Sequence, residues 1–171
     1  YISPYKLAIP TPSVLILLLF IAVMTITIIS VGNKPSPDIL AIVANYTKRL
    51  PHTVSVTWQF LKHADGDAKS SKQQESENIL RAIHPKDYVI LLDETGKQLS
   101  SEELSKTIFT NGTDIVFIIG GAYGVTESVF RRAQFVWSLS KLVFPHQLVR
   151  MLLSEQIYRA YTISINHPYH H

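Results

Sequence analysis

The residues able to do chemistry collect in the C-terminal third. Gly120 and Gly121 follow an unbroken β-branched and aromatic run, Ile115 to Ile119. A glycine pair at a strand end lets another group approach the backbone closely, because no Cβ intervenes. A second run, Phe135 to Leu139, breaks into Ser140, Lys141, Leu142, Val143, Phe144 and Pro145 before His146 opens a long helical pattern. Two strand ends that open into loops at one edge of an α/β sheet make a crevice, and ligands of such sheets sit there. Tyr123 and Gly124 spoil the spacing of a dinucleotide-type GxGxxG, so the glycine pair alone does not name the ligand. The chain closes on Asn166, His167, Pro168, Tyr169, His170 and His171. This end reads as a broken affinity tag, as a metal site, or as a titratable cluster placed beside a site. No carboxylate or cysteine stands close by in sequence to complete a ligand set, so no metal is expected there.

The elements that must position these residues alternate. Thr25, Thr27 and Ser30 interleave with Ile26, Ile28 and Val31, a strand period that Gly32 ends. Pro35, Pro37 and Asp38 open a helix that Pro51 stops. Val54, Val56, Trp58 and Phe60 alternate as a half-buried strand. Lys62 to Gln74 reads as a polar mobile loop, Glu75 to Ile83 as a helix, Tyr88 to Leu92 as a buried strand and Asp93 to Lys97 as a turn. Ser100 with Glu103 three residues later is a capping box. Asp114 to Ile119 is the central strand, Thr126 to Ala133 a short helix, Phe135 to Leu139 the last strand and His146 to Asn166 the longest helix. Strict strand–helix alternation predicts an α/β fold, a mainly parallel sheet with helices on both faces. On the last helix, Val149, Leu152, Leu153, Ile157, Ala160 and Tyr161 form an apolar stripe. Gln147, Arg150, Ser154 and Tyr158 form a second, polar one. An apolar stripe this broad suits a core, and also a second subunit.

Composition narrows the classes. With 46% hydrophobic and 17% charged residues the 171-residue chain can bury one proper core. The absence of cysteine excludes disulfides, thiolate catalysis and cysteine-based zinc sites. A net charge of +3, with the basic residues scattered, permits an RNA partner without demanding one. No GxSxG, HExxH or P-loop occurs. Residues 1–23 stand apart: Pro4, Pro10 and Pro12 precede a wholly apolar run, Val14 to Val23. This stretch reads as a membrane span continuing through Val31, as an export signal behind Lys6, or as upstream or transit sequence before a start at Met24. The third is preferred, because a strand needed in the sheet cannot also lie in a bilayer. The expected division is a non-core extension over 1–23 and a single domain over 24–171.

Several motifs, in order, resemble one family. IIGGAYG, SLSKLVFPHQLVR, LLSEQIYRAY and the closing HPYH, with LLDETGKQLSSEEL at 91–104 and the opening TITIISVGNK, are similar to the RlmH family, SPOUT-class 23S rRNA pseudouridine N3-methyltransferases. The resemblance runs from Met24 to His171. It implies a C-terminal part threaded into a trefoil knot, which composition could never reveal. It also implies S-adenosyl-L-methionine held by Leu92, by Gly120 and by the loop Leu139, Ser140, Lys141, Leu142, Val143 and Phe144. The substrate would be a pseudouridine of 23S rRNA within the ribosome, methylated at N3, the protein a homodimer, and the setting the cytoplasm or a plastid. His170, Tyr169 and Arg150 would serve the chemistry, and His146, Arg150 and Arg159 would meet the RNA. Other readings are a non-catalytic RNA-binding module that kept the fold, and a membrane-tethered variant using residues 1–31.

Overall fold

The computed structural model describes residues 23–110 and 114–170. Five strands form one sheet in the order β2-β1-β4-β3-β5: β1 Met24–Val31, β2 Val54–Leu61, β3 Tyr88–Lys97, β4 Ile115–Ile119 and β5 Phe135–Trp137. Every pairing is parallel, as alternation with helices predicts. Five helices make the crossovers and the C-terminal cover: α1 Pro37–Thr47, α2 Ala68–Ala82, α3 Ser101–Phe109, α4 Glu127–Arg132 and α5 His146–Ser164. A single 3₁₀ turn, Pro168–His170, follows.

Strand periodicity sorts the core into two layers. Ile26, Ile28, Ile90, Ile115, Phe117 and Trp137 face Leu104 and Ile108 of α3 and Leu153, Ile157 and Ala160 of α5. Ile29, Val31, Val89, Leu91, Val116 and Ile118 face Ile79 of α2 and Val129 of α4. All five residues of β4 are buried, because its neighbours cover both edges and helices cover both faces. Met24–Val31 is thus an interior strand, and Ile26, Ile28 and Ile29 have no exposed surface. The tether proposed through residues 1–31 would need that segment, whereas residues 1–22 lie outside the described part. Among the described residues no helix is long and apolar enough to cross a membrane.

Local chemistry explains most boundaries. The Ser100 hydroxyl accepts from Glu103 N and the Glu103 carboxylate accepts from Ser100 N, so both halves of the capping box are made. Gly32 ends β1 with φ +113°, a conformation that side chains resist. Three expectations need correction. The stretch Lys62 to Gln74 is not one mobile loop: α2 begins at Ala68, because Asp67 caps it by accepting from Lys69 N and Ser70 N. Asp93 to Lys97 is not a free turn. The Asp93 carboxylate accepts from Thr95 N, the ladder shifts register, and Lys97 still pairs with Trp137. The last strand is shorter than expected and stops at Trp137.

The second stripe on α5 is exposed at Gln147 and buried beyond it. Arg150, Ser154, Tyr158 and Thr162 are all buried. Arg150, 2% exposed, points at the end of β1. Its Nε donates to Ser30 Oγ at 3.0 Å, Nη1 to the Asn33 carbonyl at 2.9 Å and Nη2 to the Val31 carbonyl at 3.4 Å. The guanidinium carbon lies 5.2 Å from the Phe60 ring centroid. Tyr158 packs edge-on against Tyr169 and under Arg49 of the α1 end.

Candidate active site

A crevice opens at the C-terminal edge of the sheet, where β3, β4 and β5 end. Its volume is about 540 Å³, in the range that holds a nucleoside-sized ligand. Leu92 and Gly120 reach it from β3 and β4, and Leu139, Ser140, Leu142, Val143 and Phe144 from the loop after β5. Of the residues expected to hold a cofactor, only Lys141 does not line it. Two serines shape that loop. The Ser138 hydroxyl donates to the Ser140 carbonyl at 2.8 Å, and Leu142 N donates to Ser140 Oγ at 3.0 Å. Leu142 and Val143 are thereby turned outward, 69% and 81% exposed, at the crevice lip.

The floor is the turn Gly120–Gly124. Gly124 N donates to the Gly121 carbonyl at 3.0 Å, and Gly124 holds φ +71°. A Cβ on Gly120 would stand 2.9 Å from Val125 Cγ1, and one on Gly121 would overlap Glu75 Oε2. Gly121 is therefore required by packing against Glu75 and Gly120 by packing against Val125, and both glycines line the crevice. A bare backbone floor, apolar side chains and charged or polar ones such as Lys72, Asp93, Glu94 and His146 suit a flat ring with a charged tail. These residues fit the methyl donor implied by the sequence.

His146 also lines the crevice, at the first turn of α5. Burial holds its imidazole below the ordinary histidine range, and the Arg150 guanidinium adds to the effect. The ring is thus neutral at pH 7. The sign for stability follows: between the lowered folded value and about 6.5, the unfolded chain carries a proton that the folded one refuses. This contribution is complete above that window and is lost as pH falls through it. Denaturant midpoints measured at pH 7.5 and 5.5 are expected to fall with acidity in the parent, and to fall less in His146→Gln.

The tail is elsewhere. Tyr169 and His170 do not line the crevice. The Tyr169 hydroxyl donates to Glu155 Oε1 at 3.3 Å, and His170 Nε2 lies 2.7 Å from Glu102 Oε1. Arg159 holds Glu155 through a 2.6 Å contact and stacks 5.0 Å from the Tyr169 centroid. Burial, then the Glu155 charge, pushes the Tyr169 phenol up, and its bond to Glu155 pushes the Arg159 guanidinium up. At about 1.5 Å per residue, Arg159 stands about 20 Å along α5 from His146. One chain therefore gathers His146 with the cofactor-type residues and holds Arg159, Tyr169 and His170 apart as a second cluster. Arg150 belongs to neither cluster: three of its N–H groups hold Ser30, Val31 and Asn33, so it braces the β1 exit from inside the fold. Among the described residues no group of three metal-ligating side chains comes together.

Sequence reasoning missed Lys72, Asp93, Glu94, Thr95 and Tyr123, which also line the crevice. Lys72 was hidden by reading the start of α2 as loop. The Asp67 cap, with Ser70 three residues on, is the signal that finds it.

A family model described as "Predicted SPOUT methyltransferase" matches residues 24–170. The chain belongs to the SPOUT methyltransferase family. Among curated relatives, the ribosomal RNA large subunit methyltransferase H of Christiangramia forsetii is 40% identical over 156 residues, covering 86% of this chain and 99% of the relative. That of Gloeobacter violaceus is 38% identical over 150 residues with the same coverage. That of Clostridium botulinum is 40% identical over 158 residues, again with that coverage. A solved structure, a probable methylase family protein from Haemophilus influenzae Rd KW20, matches with a TM-score of 0.50 at 14% identity. The match covers 82% of this chain and 66% of that one and speaks for the fold alone.

Proposed function

We propose that this protein is a methyltransferase of large-subunit ribosomal RNA that takes its methyl group from S-adenosyl-L-methionine and places it on N3 of a pseudouridine in 23S rRNA. The observation that carries the reading is the glycine-floored crevice at the sheet edge, in a chain whose relatives over nearly their whole length are named as large-subunit ribosomal RNA methyltransferases. The donor supplies an electrophilic methyl on a sulfonium. Leu92, Gly120 and the 139–144 loop bind and orient it, and the apolar lip of Leu142 and Val143 excludes water when covered. Pseudouridine N3 carries a proton and becomes a nucleophile only as that proton leaves, so placement comes first and proton removal second.

His146, neutral and on the crevice wall, can accept a proton or a hydrogen bond from the base edge. Arg159 offers a cation to RNA phosphate. Arg150 positions the loop at 30–33 and the start of α5. His170 and Tyr169 assist only where they can reach the base. Their distance from the crevice within one chain supports a homodimer in which a second copy brings the tail across. The exposed Leu142, Val143 and Leu148 offer apolar surface for it. The reading includes the trefoil threading of the C-terminal part and a single domain beginning near Met24. A protein acting on the ribosome works in the cytoplasm, or in a plastid.

Calorimetric titration with S-adenosyl-L-methionine, followed by mapping of methylated rRNA, tests this. Micromolar binding and one methylated pseudouridine are the expected result. The His170→Ala and Tyr169→Phe pair should slow transfer while leaving donor binding intact. Donor binding without RNA methylation would instead favour a non-catalytic RNA-binding module. A chain that binds no donor overturns the proposal.

A further inference from the structure

Helix α2 carries three buried polar side chains, Ser71, Glu75 and Ser76, exposed by 3%, 4% and 1%. They stitch together two loops at the C-terminal edge of the sheet. The Ser71 hydroxyl donates to the Ala64 carbonyl at 3.2 Å, and Ala64 N donates to Glu75 Oε1 at 3.1 Å. His63 Nδ1 lies 3.3 Å from the same oxygen. On the other side Thr126 N donates to Ser76 Oγ at 2.9 Å. The second carboxylate oxygen, Glu75 Oε2, has no hydrogen-bond partner although it is buried. It faces Gly121, where any side chain would strike it.

An orphaned buried carboxylate oxygen is expensive, and native folds keep one mainly where something else uses it. Gly121, which this oxygen faces, lines the crevice. Lys72, one turn earlier on α2, also lines that crevice. A negative group directly behind a bare backbone floor favours a cation resting on the other side, more strongly than it would in water. We propose that Glu75 is a positioning residue for the methyl donor: it fixes the Gly120–Gly121 floor and sets a negative charge beneath the sulfonium. This rests on the donor assignment above and deepens it.

The discriminating probe is the pair S-adenosylmethionine and S-adenosylhomocysteine, alike except that the first carries the sulfonium charge and the second a neutral thioether. In titrations of the full chain, Glu75→Gln is expected to weaken the sulfonium ligand about tenfold and the thioether about twofold or less. Glu75→Asp, which keeps the charge, should restore part of the difference. Equal losses for both ligands, or no loss, overturn the inference while leaving the donor reading intact. A parent chain that binds neither ligand overturns both. Should Glu75→Gln fold poorly, Gly121→Ala, which pushes against the same oxygen, should weaken both ligands at least about tenfold. Unchanged binding there would remove Glu75 from the floor.

Discussion

Arg150→Ala should lower the unfolding free energy by about 3 kcal/mol, the sum of a truncated buried side chain and acceptors left without donors. For a chain of this size that corresponds to a fall of about 6–12 °C in the melting midpoint. The arginine is buried, has no carboxylate partner among the described residues, and keeps its charge, since burial lowers its guanidinium but from a value too high to matter at neutral pH. Its stabilising effect therefore comes from geometry: a planar fork meets Ser30 Oγ and two carbonyls of the β1 exit, with Phe60 against its face. Arg150→Lys keeps the charge and loses the fork, and should recover less than half of the loss. Arg150→Met keeps the stem and removes the desolvated charge. If Met is as stable as the parent, the charge opposes folding here and only the packing helps. His146 provides an independent readout. The Arg150 cation helps hold the imidazole down, so an NMR titration of His146 should move upward in both the Ala and the Met variants. An unmoved titration with lowered stability would separate the clamp from the crevice.

The contrast between Arg150 and the Ser100–Glu103 box shows which parts of the fold are legible in a sequence. A capping box is written within four residues, and both of its hydrogen bonds appear in the structure. The interior strands are equally local, because alternation and β-branching belong to the strand itself. The crevice was legible for the same reason: strand ends followed by glycines or by a Pro-terminated loop mark a sheet edge. Arg150 is different. On a helical wheel it joins Gln147 and Ser154 as a polar stripe, and nothing within α5 reveals that β1, 120 residues earlier, supplies Ser30 as its partner. Glu75 escaped for a like reason, since its neighbours Ala64 and Gly121 come from two different loops. The tail's histidines and tyrosine are plain in the sequence, but their docking on Glu155 and Glu102 depends on the path of α5 and α3, which no local pattern encodes.

Gly96→Ala should remove donor binding and destabilise the fold by about 1–3 kcal/mol, the usual range for forcing a methyl group into a filled site. The direction of the clash makes this substitution severe. A Cβ at Gly96 would lie 2.7 Å from the Val136 carbonyl oxygen and 2.8 Å from the carbonyl carbons of Val136 and Trp137. These are backbone atoms of β5, so no rotamer change relieves the overlap and the strands must separate. Three-residue β5 is the edge of the sheet, held to β3 by the register shift between Leu92 and Lys97 and by Ser138 N donating to the Lys97 carbonyl at 3.0 Å. It is the strand that will yield. When it does, it carries Leu139 to Phe144 away from Gly120, and the crevice loses one wall while the rest of the core stands. Donor titration on the folded fraction should therefore show a loss of at least about tenfold, beyond anything the modest stability change explains. Thr95→Ala, at a neighbouring crevice position whose hydroxyl donates to the Asp93 carboxylate, should keep binding within about threefold. Equal binding by Gly96→Ala and the parent would mean that β5 does not position the donor loop, and that the crevice is closed by α5 alone.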